Sequence, residues 1–272
     1  MNRSARTLGP RLDGLTVVAL AAIAISLTVG LHEGVHALTC VLVGGRLLEY
    51  SALHVECETQ TPLQRKLVAG AAPAYNLLAG LLLWAVARRA RRLAPEGWTL
   101  LWLLTSMNLL YGAGYWGFSG IAGIGDMAVV VDGWQPAWLW RAALLLLGAP
   151  LFLGCAWLVL QTFGRRIGGQ EPERTRRANK LCLLAYGAAV GVVFVAGLFN
   201  PYGLFGLPAT AGLLAVSCTQ LPLLAMAHWS RAERFLQRER APLEIQRRWV
   251  WVAAAVAIAG LYAVVLGRTL TF

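Results

Sequence analysis

With 272 residues, 58% of them hydrophobic and only 14% charged, the chain is not one soluble globule, since apolar faces would be left in water. A net charge of +11 raises nucleic acid as a partner, but the basic residues fall in short clusters between apolar runs, which argues against a nucleic-acid module. Seven apolar stretches, roughly 15–43, 67–87, 98–117, 138–163, 181–199, 204–228 and 249–267, predict an all-α polytopic membrane protein forming a single integral-membrane domain over residues 1–272.

The first stretch carries ionisable groups where lipid disfavours them: His32-Glu33-Gly34-Val35-His36. Such a group at membrane depth costs roughly 2.5–3.5 kcal/mol, so it persists where it has a task. Residues i and i+4 share one face of a helix, which lets His32 and His36 grip one metal ion together. Glu33 then flanks an open coordination position as general base to a metal-bound water. Cleavage as a signal peptide near residues 20–26 would put this motif at a new N-terminus, and the apolar run is too long for a signal, so an uncleaved span is expected. The five cysteines, Cys40, Cys57, Cys155, Cys182 and Cys218, lack CxxC spacing and read as buried small hydrophobes.

After Gly44-Gly45, the segment 44–62 alternates Leu47, Leu48, Tyr50, Leu53 and Val55 with polar residues, which predicts a short hairpin or strand over the motif. The third stretch runs into residues 107–134, whose seven glycines predict irregular backbone, close helix packing, or both. Asp126 ends that glycine-rich run.

Catalytic zinc takes three protein ligands and a water, so a third ligand is required. Of the 13 acidic residues, Asp126 is embedded in apolar, glycine-rich sequence on the side of the motif; Asp132 and His54 are the alternatives. Depth agrees, because His36 precedes Val43 by seven residues, about 10 Å of helix rise, and Asp126 follows a stretch leaving on the same side.

Further on, 164–180 reads as a polar, mobile loop, and 230–248 as an amphipathic surface helix broken at Pro242. The region 138–267 reads as helical scaffold to a catalytic core at 15–135. With the N-terminus cytoplasmic, 19 of the 24 basic residues lie on the inner side and five outside. Anionic lipid headgroups are then the expected partner of the inner face.

Three motifs resemble the site-2 protease family of intramembrane zinc metalloproteases, in its bacterial short form. They are His32-Glu33-Gly34-Val35-His36, Pro73-Ala74-Tyr75-Asn76 in the second span, and Gly125-Asp126. Ala72 and Met127 stand where the family has glycine, and the charge pattern opens the site outward where the family commonly opens toward the cytosol. The resemblance implies one zinc ion per chain on His32, His36 and Asp126, with Glu33 as the base and Asn76 positioning substrate or stabilising its oxyanion. It further implies a membrane-embedded protein or peptide substrate, a bacterial plasma-membrane location, and an unwound substrate added as a strand along 46–60. A non-proteolytic metal-binding membrane protein, such as a transporter, sensor or scaffold, is the rival reading.

Overall fold

The computed structural model describes residues 12–90, 92–231 and 241–272. Helix α1 spans Gly14–Leu42; the Asp13 carboxylate accepts from the Thr16 amide at its start, and a run of Ala, Val, Ile and Leu propagates it. Its end turns through Gly44 at φ +77°, and the backbone at Gly45 passes so close to the next segment that a Cβ there would lie 2.8 Å from Cys57 Sγ. That segment is the expected hairpin, β1 (Arg46–Tyr50) against β2 (Val55–Glu58), antiparallel with a bulge between Leu47 and Glu49. A third strand, β3 (Leu270–Thr271), was not expected; it pairs with the other edge of β1, giving the order β2-β1-β3.

Helix α2 (Pro62–Arg89) opens on a capping box between Thr61 and Gln64. It is followed by α3 (Pro95–Ala122), α4 (Asp126–Val131), α5 (Ala137–Ile167), α6 (Glu173–Phe199), α7 (Leu207–Thr219), α8 (Pro222–Trp229) and α9 (Trp249–Gly260). Helical backbone runs on past α9 to Arg268.

Among the described residues, six helical segments are long and apolar enough to cross a membrane, which makes this a multi-pass, all-α membrane protein. The expected count was seven. The discrepancy is α3, a 28-residue helix that packs against α1, α2, α5 and α7 and buries Trp98, Trp102, Leu103 and Met107 at the centre of the molecule. A helix wrapped by protein needs no lipid-facing composition, so α3 also carries Thr99, Thr105, Ser106 and Asn108.

Three further expectations change. Residues 164–180 are mostly helix, since α5 reaches Ile167 and α6 begins at Glu173, with Arg174 and Arg177 buried. Of the expected surface helix, 232–240 lie outside the described residues, and 241–248 form extended chain that bridges Leu12 through Ile245. The glycines of 107–122 lie within regular helix and permit close packing: a Cβ on Gly112 would lie 2.8 Å from the Pro73 carbonyl oxygen. Irregular backbone is limited to the turn around Gly123 (φ +70°) and Gly125 (φ +86°) and to a second turn at Gly133 (φ +78°) after α4.

The loops gather at two ends. At one, Asp13 pairs with Arg247 at 2.9 Å, Glu96 with Arg248 at 3.7 Å, and Lys180 donates to the Leu12 carbonyl at 2.6 Å. At the other, the hairpin meets Tyr202, Leu266 and β3. The segments assigned by charge to one side of the membrane are thus neighbours in space.

Candidate metal centre

One turn of α1 puts His32, Glu33 and His36 into the interior, at 0, 4 and 7% exposure. Asp126 reaches them because the two left-handed glycines turn the chain back under α1 before α4 begins. A side chain at Gly125 would also crowd Ser119 Oγ at 3.2 Å. The Asp126 carboxylate lies 3.1 Å from His32 Nε2 and 3.4 Å from His36 Nε2, and the two Nε2 atoms are 3.2 Å apart. One ligand atom from each of the three residues falls within 4.8 Å of the others.

The chemistry of this cluster follows from its hydrogen bonds. His36 Nδ1 lies 2.7 Å from the Val68 carbonyl oxygen. A carbonyl only accepts, so a neutral His36 carries its proton on Nδ1 and presents a lone pair at Nε2. That lone pair faces a carboxylate and a second imidazole nitrogen. Asp126 Oδ2 is buried with no hydrogen-bond partner despite its proximity to His32. Nitrogen and carboxylate lone pairs aimed at one point fit a divalent cation such as zinc, for which two imidazoles and a carboxylate are a suitable donor set.

His32 is held from behind. Its ring stacks on Tyr115 and meets the edge of Tyr111, both with centroids at 5.1 Å, and its Nδ1 lies 2.6 Å from Asn76 Oδ1. Asn76 is fully buried, and its amide nitrogen donates to Asn108 Oδ1 at 2.9 Å. The structure therefore puts Asn76 behind the His32 imidazole and outside the lining of the cleft described next.

The cleft in front of the cluster has a volume of about 470 Å³ and is lined by Glu33, His36 and Asp126 on one wall and by the hairpin residues Leu53–Cys57 and Thr59 on another. That size is typical of ligand sites. The start of α7, with Leu207 and Gly212, closes a third side, so the region read as scaffold also shapes the site. The two alternative ligands are engaged elsewhere. Asp132 pairs with Arg65 at 3.3 Å on the surface. His54 lines the cleft, but its Nε2 lies 3.0 Å from Glu49 and its Nδ1 2.7 Å from Ser51 Oγ. Hydrogen bonds from His54 and Tyr202 hold the Glu49 carboxyl below its ordinary range.

Two features escaped sequence reasoning. Cys40 and Cys57 form a disulfide, which corrects their reading as plain hydrophobes and ties β2 to α1 one turn beyond His36. Cys155 and Cys182 are indeed buried free thiols, whereas Cys218 is exposed. Asn108 is the other; an amide amid the apolar run of the third stretch was its available signal. No protein-family model, curated protein or solved structure matches the chain.

Proposed function

We propose that the protein is an intramembrane zinc metalloprotease of the site-2 type, hydrolysing a peptide bond of a membrane-embedded protein or peptide. The observation that carries this reading is the buried convergence of acceptor atoms from His32, His36 and Asp126, with the Glu33 carboxylate beside them in the same cleft. A purely structural metal site has no use for that carboxylate. His32, His36 and Asp126 would hold the ion. When bound, zinc supplies Lewis-acid polarisation of a carbonyl and acidifies a water.

The chain's own residues account for the rest. Glu33 takes a proton from the attacking water and returns it to the leaving amine nitrogen, a role suited to a buried carboxylate that lines the cleft. Among the described residues the order β2-β1-β3 leaves β2 with one edge unpaired in the sheet, beside the cleft, so an unwound substrate can add there as a strand while its scissile bond reaches the cluster.

The orientation belongs to the same proposal. The hairpin end faces the outside of a bacterial plasma membrane and the N-terminus lies in the cytoplasm. The basic residues support it, 19 of 24 falling on the inner side, and so does the Cys40–Cys57 disulfide, which suits an oxidising compartment. The inner end, with Arg88 and Arg89 exposed, meets anionic lipid. With Cys218 replaced by Ser, a cysteine introduced at Gln60 should react with an impermeant maleimide in intact cells, and one at Gln170 only after lysis. The reverse pattern would invert the orientation.

The test of activity compares wild type with Glu33→Gln in proteoliposomes, against a panel of fluorogenic single-span helical peptides. Wild type should cleave members of the panel, and Glu33→Gln should retain zinc and lose cleavage by at least about 100-fold, the scale of general-base contributions. Equal cleavage by the variant would overturn the role of Glu33. Zinc binding with no cleavage across the panel would favour the non-proteolytic alternative.

A further inference from the structure

Behind the cluster lies a buried chain of polar side chains that leaves α1 and returns to it. Thr28 and Asn108 meet at 3.0 Å, Asn108 and Asn76 at 2.9 Å, and Asn76 and His32 at 2.6 Å. All four residues are at most 4% exposed, and together they link α1, α3, α2 and α1 again. Thr28 and His32 are one turn apart on the same helix face.

The direction of this chain is fixed by its one group that cannot reverse. Asn108 also approaches the Leu104 carbonyl oxygen at 2.9 Å. A carbonyl only accepts, so the Asn108 nitrogen must face Leu104 and Thr28, and its Oδ1 must face Asn76. Asn76 then presents its nitrogen to Asn108 and its Oδ1 to His32. His32 Nδ1 must accordingly be the protonated nitrogen, which leaves a lone pair on Nε2, the atom aimed at Asp126 and His36. Were either amide reversed, His32 Nε2 would carry the proton instead. It would then donate to Asp126 and be unable to bind a metal.

We infer that Asn76 and Asn108 are positioning residues that hold His32 in its metal-binding tautomer, with the Leu104 carbonyl as the fixed reference. His36 reaches the same state by a direct bond to the Val68 carbonyl, whereas His32 reaches it through two amides. The inference rests on the metal-centre reading and departs from the role in substrate binding that the sequence resemblance gives Asn76.

Two measurements test it. The first is zinc affinity by chelator competition in detergent. Asn76→Leu, close in shape but without an acceptor, should weaken binding about 10–100-fold, the usual effect of losing the partner of a ligating histidine. Asn108→Leu leaves Asn76 in place but free to reverse, and should weaken it about 10-fold. The second is the ¹⁵N spectrum of the His32 ring in chelator-treated protein. Wild type should show protonated Nδ1, and both variants a mixture of tautomers, a change that loss of packing alone would not produce. Unchanged zinc affinity with an unchanged His32 spectrum in either folded variant would overturn the inference. A wild type that bound no zinc would overturn the metal centre, while the ring spectrum would still decide the tautomer relay.

Discussion

The two ends of the molecule bury charge in opposite ways. At the basic end, cations face acceptors: Arg174, 2% exposed, donates to the Ser230 carbonyl at 2.9 Å and lies 3.6 Å from Glu171, and Arg177 donates to the Gly168 carbonyl at 2.8 Å. At the hairpin end, acceptors face acceptors, with two imidazole nitrogens and a carboxylate within 3.4 Å of each other and one carboxylate oxygen unpartnered. In the first arrangement each cation meets carbonyl or carboxylate oxygens, although Arg174 Nε and Nη2 and Arg177 Nε are buried without a partner, and it can be read as architecture. On the proposed reading the second is completed by a cation from outside the chain, so burial of charge alone does not mark a candidate site; what the buried charge faces does.

Several changes would break or sharpen this contrast. The largest effect on stability is expected at the hairpin, where the disulfide closes a loop of 17 residues. Cys57→Ser should cost about 3 kcal/mol in detergent unfolding and expose the 46–58 segment to proteolysis. The next pair of variants should move stability in opposite directions. Arg174→Ala removes a cation that a carbonyl needs and should destabilise by about 1–3 kcal/mol. Asp126→Asn, measured in zinc-free protein, replaces a carboxylate among acceptors by an amide that can donate to an imidazole, and should stabilise by about 1 kcal/mol. If both destabilised equally, the contrast between the two ends would fail.

The smallest effect is at the start of α1. Burial pushes the Asp13 carboxyl up, but bonds from Thr16 and the Arg247 guanidinium outweigh it and hold the group below its ordinary range. Asp13→Ala should therefore cost about 1 kcal/mol near neutral pH. A depressed folded-state pKa gives stability that is present above the unfolded-state value and lost as pH falls through the folded one. The gap between wild type and Asp13→Ala should accordingly narrow on acidification, as read by thermal unfolding across an acid series.

Much of the site was legible because the membrane makes polar residues conspicuous. The spacing of His32 and His36, and Asp126 as an acid embedded in apolar sequence on their side, sufficed to bring them together on paper, and alternation in 44–62 gave the hairpin. The remainder depended on neighbours remote in sequence. Cys40 finds Cys57 only because Gly45 lets the hairpin fold onto α1, which no spacing rule encodes. The number of apolar spans was overcounted because α3 faces protein on most of its surface and not lipid. The charge of 164–180 predicts a loop, but Arg174 and Arg177 bury themselves against carbonyls and let the helices continue. The role of Asn76 came from a local motif, whereas its orientation is set by Asn108, 32 residues away on another helix.

The central claim is that three residues from two distant segments form one metal centre. Metal analysis of the purified full-length protein, wild type beside Asp126→Ala and Asp132→Ala, tests it most directly. About one zinc per chain is predicted in wild type and in Asp132→Ala, with most of it lost from a still-folded Asp126→Ala, since one of three protein bonds to the ion is gone. Full zinc occupancy in Asp126→Ala, or no zinc in wild type, would contradict the account.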